Sequence, residues 1–543
     1  MPLFADDQES YPGINLSVSQ LLHAVKRKLQ SSTFGDGTST GVDYFEVDRL
    51  ERDAFEALSF LRSIKNTFAP IHRIPSEILS LVPRYWGEGR TDSDLIALTH
   101  VCRRWRKVFT ASSALWTHLE CNDVEKTRVY VERSKSSPLE VVLSDSKKSY
   151  NYLKAAFLLV IPHIDRVMSV EIIGDKDLFQ YFTKHFSCPL PLLRHLTFHI
   201  SSRQPLVLSN TLFNGDLSSL RTLTLGGVMP HLPSNNLPQL TTFTLLSFDI
   251  SEEISVTRLL DIFSNTPLLR KIELQMVPRL SDAPPGRVVT LPRLESFIAR
   301  GDLGHTSMIL DHLPIPAGAL LDLEFPLSGV ESPLPKILLK ASENLQNILH
   351  ITSAYLDFDL EYASIRLDGP SGKLHMRGTR ESWFGSSPTT LGHALFRSLD
   401  CLNTSKIQRL AVTGLRIYGG QDKSTCPDFG IMDDLRTLFL SRCSPLSLTL
   451  DPNWKPQEPV PCPKLEKLVF YVGDNGVLSI REVTIMARER ALKGASLRSI
   501  VVISGRKLRL EGEEFELMKY VERFECRVGE CPRWDQIPDD GTN

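Results

Sequence analysis

The chain has 543 residues, 42% of them apolar and 23% charged, which permits a large core and excludes wholesale disorder. At about 100–200 residues per domain it holds more than one unit, or one long repeat array. Lys and Arg number 62 against 64 Asp and Glu, a balance without the basic excess of a nucleic-acid-coating protein or a polybasic membrane binder.

The apolar run Ala155 to Ile161 stops at Pro162, far short of the ~18 residues of a membrane-spanning helix. Met1-Pro-Leu-Phe-Ala-Asp-Asp carries acids where a secretory signal has basic residues and then an apolar run. Nine scattered cysteines without a C-x-x-C spacing predict reduced thiols, no disulfide framework, no structural zinc and an intracellular protein, cytoplasmic or nuclear.

Residues 1–42 are predicted to be disordered around a short helix at Leu16 to Leu29, because Ser31 to Gly41 has a solvated linker composition. Residues 43–69 form an amphipathic helix. Leu50, Phe55, Leu58, Leu61 and Ile64 recur three to five apart, and the helix ends before Pro70. Such a helix packs on the next segment of the chain or forms a short coiled-coil seam.

Residues 70–120 read as three short helices. Pro75 suits a first helical turn, and Glu77 sits near the positive helix end. Ile78, Leu79 and Val82 line one face until Pro83 and Gly87-Glu-Gly89 interrupt it. A second helix runs from Ser93 to Thr110. Leu95, Leu98, Val101, Cys102 and Trp105 lie on its apolar side, with Arg103, Arg104, Arg106 and Lys107 opposite. A third, Ser112 to His118, presents Leu115 and Trp116. Three helices in about 50 residues make a poor independent core, so the unit leans on its own chain or on a partner. Trp105 and Trp116 either hold the helices together or share in that contact.

The order Ile74-Pro75-x-Glu77-Ile78-Leu79, then Leu98-x-x-Val101-Cys102-x-x-Trp105, then Leu115-Trp116 resembles the F-box motif over less than a tenth of the chain. Residues 127–142 resemble a segment that comes after the F-box in many basidiomycete fungal proteins. Pro83 and Trp86 depart from the motif, where an unbroken apolar helix usually continues. The resemblance implies docking on the Skp-type adaptor of a cullin–RING ubiquitin ligase through Ile74, Pro75, Glu77, Ile78, Leu79, Val82, Leu98, Val101, Cys102, Trp105, Leu115 and Trp116. The rest of the chain would select an unknown protein target, and the chemistry would belong to other subunits. The alternative is an interaction scaffold with no part in ubiquitination.

After a connecting segment at 121–164, residues 165–528 carry apolar residues at positions 1, 4 and 6 of a recurring template. Its anchors are Val167, Leu193, Leu220, Leu240, Leu269, Leu294, Leu320, Ile407, Leu435, Leu465 and Leu497. Most steps are near or slightly above the roughly 20–29 residues of leucine-rich repeats. Pro stands two before the anchor at Pro191, Pro238, Pro267, Pro292 and Pro463. The expected fold class is therefore α/β: a small three-helix F-box domain, then an irregular leucine-rich-repeat solenoid with a parallel sheet, its rival being a non-solenoid α/β domain with similar β–loop–α segments. Around 345–405 either one or two degenerate repeats or an insertion is expected, with a β-hairpin about Gly369-Pro-Ser-Gly372, and a tail at 529–543. His195, Thr197, Thr222, Thr224, Glu273, Arg436, Thr437, Phe439 and Val469 should point outward on a concave face.

No enzyme signature survives. The glycines between Gly35 and Gly41 follow no strand, and His195 and His199 lack a third ligand for a metal. No catalytic residue, cofactor, metal, nucleic acid or membrane partner is expected.

Overall fold

The structure is a computed structural model. It describes residues 44–85, 92–145, 150–201, 206–208, 212–229, 237–246, 254–275, 280–281, 286–326, 344–358, 362–379, 404–414, 432–441, 460–472, 478–506 and 512–531, with His23, Lys26, Arg27 and Gln30. The expectations for residues 1–42 and for the tail beyond residue 531 otherwise lie outside these residues, as does Trp86. The chain divides into two compact units, Met1–Trp116 and Thr117–Asn543.

The first unit contains helices α1 (Tyr44–Thr67), α2 (Ser76–Leu81), α3 (Asp92–His100) and α4 (Arg103–Ala111). The single helix expected from Ser93 to Thr110 is two helices. Cys102 adopts an extended backbone, φ −161° and ψ 171°, and its carbonyl accepts from Arg106 N at 3.0 Å to open α4. Thr99, Val101 and Cys102 are all weak helix formers, so a break here costs little. The expected third helix is a single 3-10 turn, Ser113–Leu115.

The second unit is built on a sheet of 17 strands among the described residues. In chain order these are β1 (His118–Glu120), β2 (Leu139–Ser144), β3 (Val167–Asp175), β4 (His195–Ser201), β5 (Thr222–Gly226) and β6 (Thr242–Leu246). They continue as β7 (Lys271–Gln275), β8 (Ser296–Arg300), β9 (Leu320–Pro326), β10 (Ser353–Phe358), β11 (Tyr362–Gly369) and β12 (Gly372–Thr379). The last five are β13 (Arg409–Thr413), β14 (Thr437–Ser441), β15 (Lys467–Val472), β16 (Leu497–Ser504) and β17 (Val521–Val528).

Neighbours follow chain order except at the centre, where β9 pairs with β12 and β10 with β13. Only β11 runs against the rest, antiparallel to both β10 and β12. Gly369 lies opposite Gly372 across the β11–β12 turn. The break in the template is thus a three-stranded meander spliced into a parallel sheet. Residues 121–164, expected to be a mere connection, supply helix α5 (Val124–Ser134), strand β2 and helix α6 (Tyr150–Val160). The sheet already starts at His118.

The template's register is visible in the pairing. Leu196, Leu223, Phe243, Ile272 and Phe297 stand side by side, as do Phe198, Leu225, Leu245, Leu274 and Ala299. One frame differs: Phe297 pairs with Leu321, not with Leu323. The inward set there is Leu321, Leu323 and Phe325, with Leu320 half-buried. The anchor's place is taken by Ala319, whose amide donates to Pro316 O at 3.2 Å.

The prolines have a structural role. Each anchor amide donates to the carbonyl three residues earlier: Leu193 to Leu190 at 3.0 Å, Leu240 to Leu237 at 3.2 Å, Leu269 to Thr266, Leu294 to Leu291 and Leu465 to Cys462, each at 3.1 Å. Pro at the second position of such a turn presets its φ. Ser218 and Asp433 occupy that position in the turns closed by Leu220 and Leu435.

Helices α7 (Lys176–Thr183), α8 (Val256–Ser264), α9 (Leu303–Leu310), α10 (Ile480–Leu492) and α11 (Glu513–Leu517) occupy some of the linking segments. Asp123, Asp175, Asp302 and Ser479 cap α5, α7, α9 and α10 by accepting a first-turn amide. Phe157 packs edge-on against Phe182 at 4.8 Å and lies 5.6 Å from Phe186, while Phe179 meets Phe198 of β4 at 5.2 Å. Each such side chain contributes about 1.5–3 kcal/mol by leaving water.

Candidate functional site

In the first unit, Pro70 opens a 3-10 turn, Pro70–Arg73. Pro75 lies just outside α2, at its N-cap rather than in its first turn, and its carbonyl accepts from Leu79 N at 2.9 Å. Glu77 is in the first turn, where the helix dipole favours an acid. The helix ends at Leu81, and Val82–Tyr85 continues as a 3-10 turn through Pro83. The apolar face is short, as Pro83 requires.

The basic residues of α4 do more than solvate a face. Arg104 donates to the carbonyl oxygens of both His72 and Ile74. Arg106 Nε donates to Thr99 O at 3.0 Å, satisfying a carbonyl at the end of α3. Three cations, Arg103, Arg104 and Arg106, in the first turn of α4 run against its dipole, and for Arg104 these carbonyls offset that cost. Cys102 Sγ lies 3.5 Å from His72 Nε2. These contacts tie α4 to the turn before α2, and sequence periodicity had no way to find them.

The motif residues divide by burial. Leu79 is fully buried; Leu98, Trp105, Leu115 and Trp116 are buried too. Trp105 meets Phe109 edge-on at 5.4 Å, and Trp116 Nε1 donates to Phe109 O at 2.8 Å. Ile74, Val82 and Cys102 are half-buried, and Pro75 and Glu77 are exposed. Ile78 is 53% exposed and Val101 56% exposed. Ile71 and Ile96 are exposed as well, and the sequence reading passed over both. Ile96 could have been noticed as an apolar residue beside, rather than on, the Leu95–Leu98 face.

The F-box-like family profile matches residues 71–122. This span is an F-box-like domain. It contains α2, α3, α4 and the Ser113–Leu115 turn, and ends two residues beyond β1. F-box domains typically bind Skp-type adaptors, and F-box proteins are generally non-catalytic. The F-box-like domain thus points to an adaptor or protein-interaction role. No curated protein matches the chain.

On the outward side of the second unit's sheet, His195, Thr197, Thr222, Thr224, Glu273 and Thr437 are half-buried, and Arg436 is exposed. Burial pushes the Glu273 carboxyl up, but hydrogen bonds from Lys271 and Gln275 and the charge of Arg300 hold it below its ordinary value. Burial pulls the His195 imidazole down.

Phe439 and Val469, expected on an open concave face, are instead buried with Ala411 and Val501, with Tyr355, Tyr471 and Ile503 packed beside them. The cause is visible in the strands. Leu438-Phe439-Leu440, Leu468-Val469-Phe470 and Ile500-Val501-Val502 are buried in unbroken runs, the mark of a strand covered on both faces. At the starts of these strands an open groove is lined by Arg409, Arg436, Lys467 and Arg498 around Glu466. The Arg436 and Arg498 guanidinium groups reach Glu466 at 3.7 and 3.5 Å. No group of three or more His, Cys, Asp or Glu side chains is placed to hold a metal among the described residues.

Proposed function

We propose that the protein is the substrate-recognition subunit of a Skp–cullin–F-box ubiquitin ligase. The F-box-like domain docks the adaptor, which brings the cullin, and the sheet unit presents a target protein. In this reading the sheet unit is an irregular leucine-rich-repeat array, supported by its register and by the turns that precede many of its strands. In the same reading the protein works inside the cell, as its scattered cysteines without a C-x-x-C spacing suggest.

One observation carries the adaptor reading: Ile78 and Val101 are more than half exposed inside a matched F-box-like span. Interface energy concentrates in a few apolar anchors, and these two are free to provide it. Buried Leu79, Leu98 and Trp105 support the surface from below. Leu79 is therefore the wrong residue for a test, since a charge there would disrupt the domain itself.

Ile78→Glu with Val101→Glu should abolish co-purification of a Skp-type adaptor while leaving the unfolding midpoint of the chain unchanged. Retained adaptor binding by a folded variant would refute the assignment. Adaptor binding without cullin in the complex would favour a scaffold with no part in ubiquitination.

A further inference from the structure

Helix α1 presents an apolar face to solvent. Phe55, Leu58, Phe60, Leu61, Ile64 and Phe68 are all exposed. Its polar edge faces the F-box-like helices: Arg103 Nη2 reaches Ser59 Oγ at 3.3 Å, and Ser63 and Asn66 are half-buried. An amphipathic helix normally points the other way, so this apolar face is turned away from its own unit.

The spacing of that face is that of a coiled coil. Ala54, Ala57, Leu61, Ile64 and Phe68 alternate three and four apart. We propose that α1 is a self-association helix that pairs antiparallel with α1 of a second copy of this chain.

Packing and charge select the antiparallel arrangement. Side by side and parallel, the two copies would place Ala54 on Ala54 and Ala57 on Ala57, leaving two hollow layers. Antiparallel, Ala54 lies opposite Ile64 and Ala57 opposite Leu61, so small residues meet large ones. The same register brings Leu58 and Phe60 against themselves across the twofold axis. It also sets Glu51 opposite Lys65 at both ends, where flanking charges choose orientation. Phe55 lies outside this seam.

The test uses the full chain, with molar mass measured by light scattering over a concentration series. The expected mass approaches about twice 61.1 kDa and falls to the monomer on dilution. Leu61→Asp with Ile64→Asp should give a monomer with an unchanged unfolding midpoint, because both side chains are exposed. Glu51→Lys alone and Lys65→Glu alone should each weaken dimerisation several-fold, and the two together should restore it. A chain that stays monomeric at every concentration would overturn the proposal. So would a dimer indifferent to Leu61→Asp with Ile64→Asp, or a charge swap no stronger than either single change.

Discussion

At the scale of single residues, two contacts make opposite kinds of demand on the chain. Gly227 has φ +69°, and a Cβ placed on it would lie 1.9 Å from the Ile200 carbonyl oxygen. Both the conformation and the space require glycine. Gly227→Ala should lower stability by at least about 2 kcal/mol, read as a fall in the denaturant midpoint. The second contact is soft. His118 and Glu140 pair across the first two strands, Nδ1 to Oε2 at 3.4 Å. The hydrogen bond, followed by the charges of Glu140, Glu120 and Glu171, raises His118 above its ordinary value against the pull of burial. The same bond lowers Glu140. A raised histidine contributes stability that is complete below its unfolded value of about 6.5 and is lost as pH climbs through the folded value. A lowered carboxyl contributes above about 4.5 and is lost as pH falls through its folded value. The pair therefore works in the window between. Both side chains are near half exposed, so the effect stays below about 1 kcal/mol. The stability gap between the native chain and His118→Gln should be widest near pH 5.5 and close by pH 9. An unchanged gap across that range would mean that the pair contributes nothing to stability.

At the scale of elements, what could be read from sequence was whatever is written locally and repeatedly. The anchors, irregularly spaced as they are, set ten of eleven strand frames, because the apolar side chains at positions 4 and 6 must enter one core. Proline two residues before an anchor marked the turns, whose backbone it shapes. The frame failed at Leu320, where Leu320-Leu321 offers two apolar residues in succession and only the pairing with Phe297 decides between them. The helix break at Val101 and Cys102 was missed for a similar reason. The apolar period runs straight through it, and only the redirected backbone exposes Val101 while burying Trp105. Within the F-box-like domain, the motif told which residues are apolar but not which of them face out. That division depends on how α2, α3 and α4 close on one another.

At the scale of the whole sheet, the two faces do not behave alike along its length. From β4 to β7 the outward positions are half-buried and polar, as in Thr197, Thr222, Thr224 and Glu273. From β13 to β16 the outward row Ala411, Phe439, Val469 and Val501 is buried, so this part of the sheet has a second core. Target binding, under the reading proposed above, then belongs to the polar stretch and not to the apolar one. The difference is measurable without a target. Truncating Phe439 to Ala should cost about 3–5 kcal/mol, the usual result of emptying an aromatic site in a core. Truncating Thr224 to Ala should cost under about 1 kcal/mol, a strand-propensity effect alone. Equal, small shifts in the unfolding midpoint for both would mean that Phe439 stands on an open face after all, and the sheet would then offer one continuous surface rather than a polar half and a sealed half.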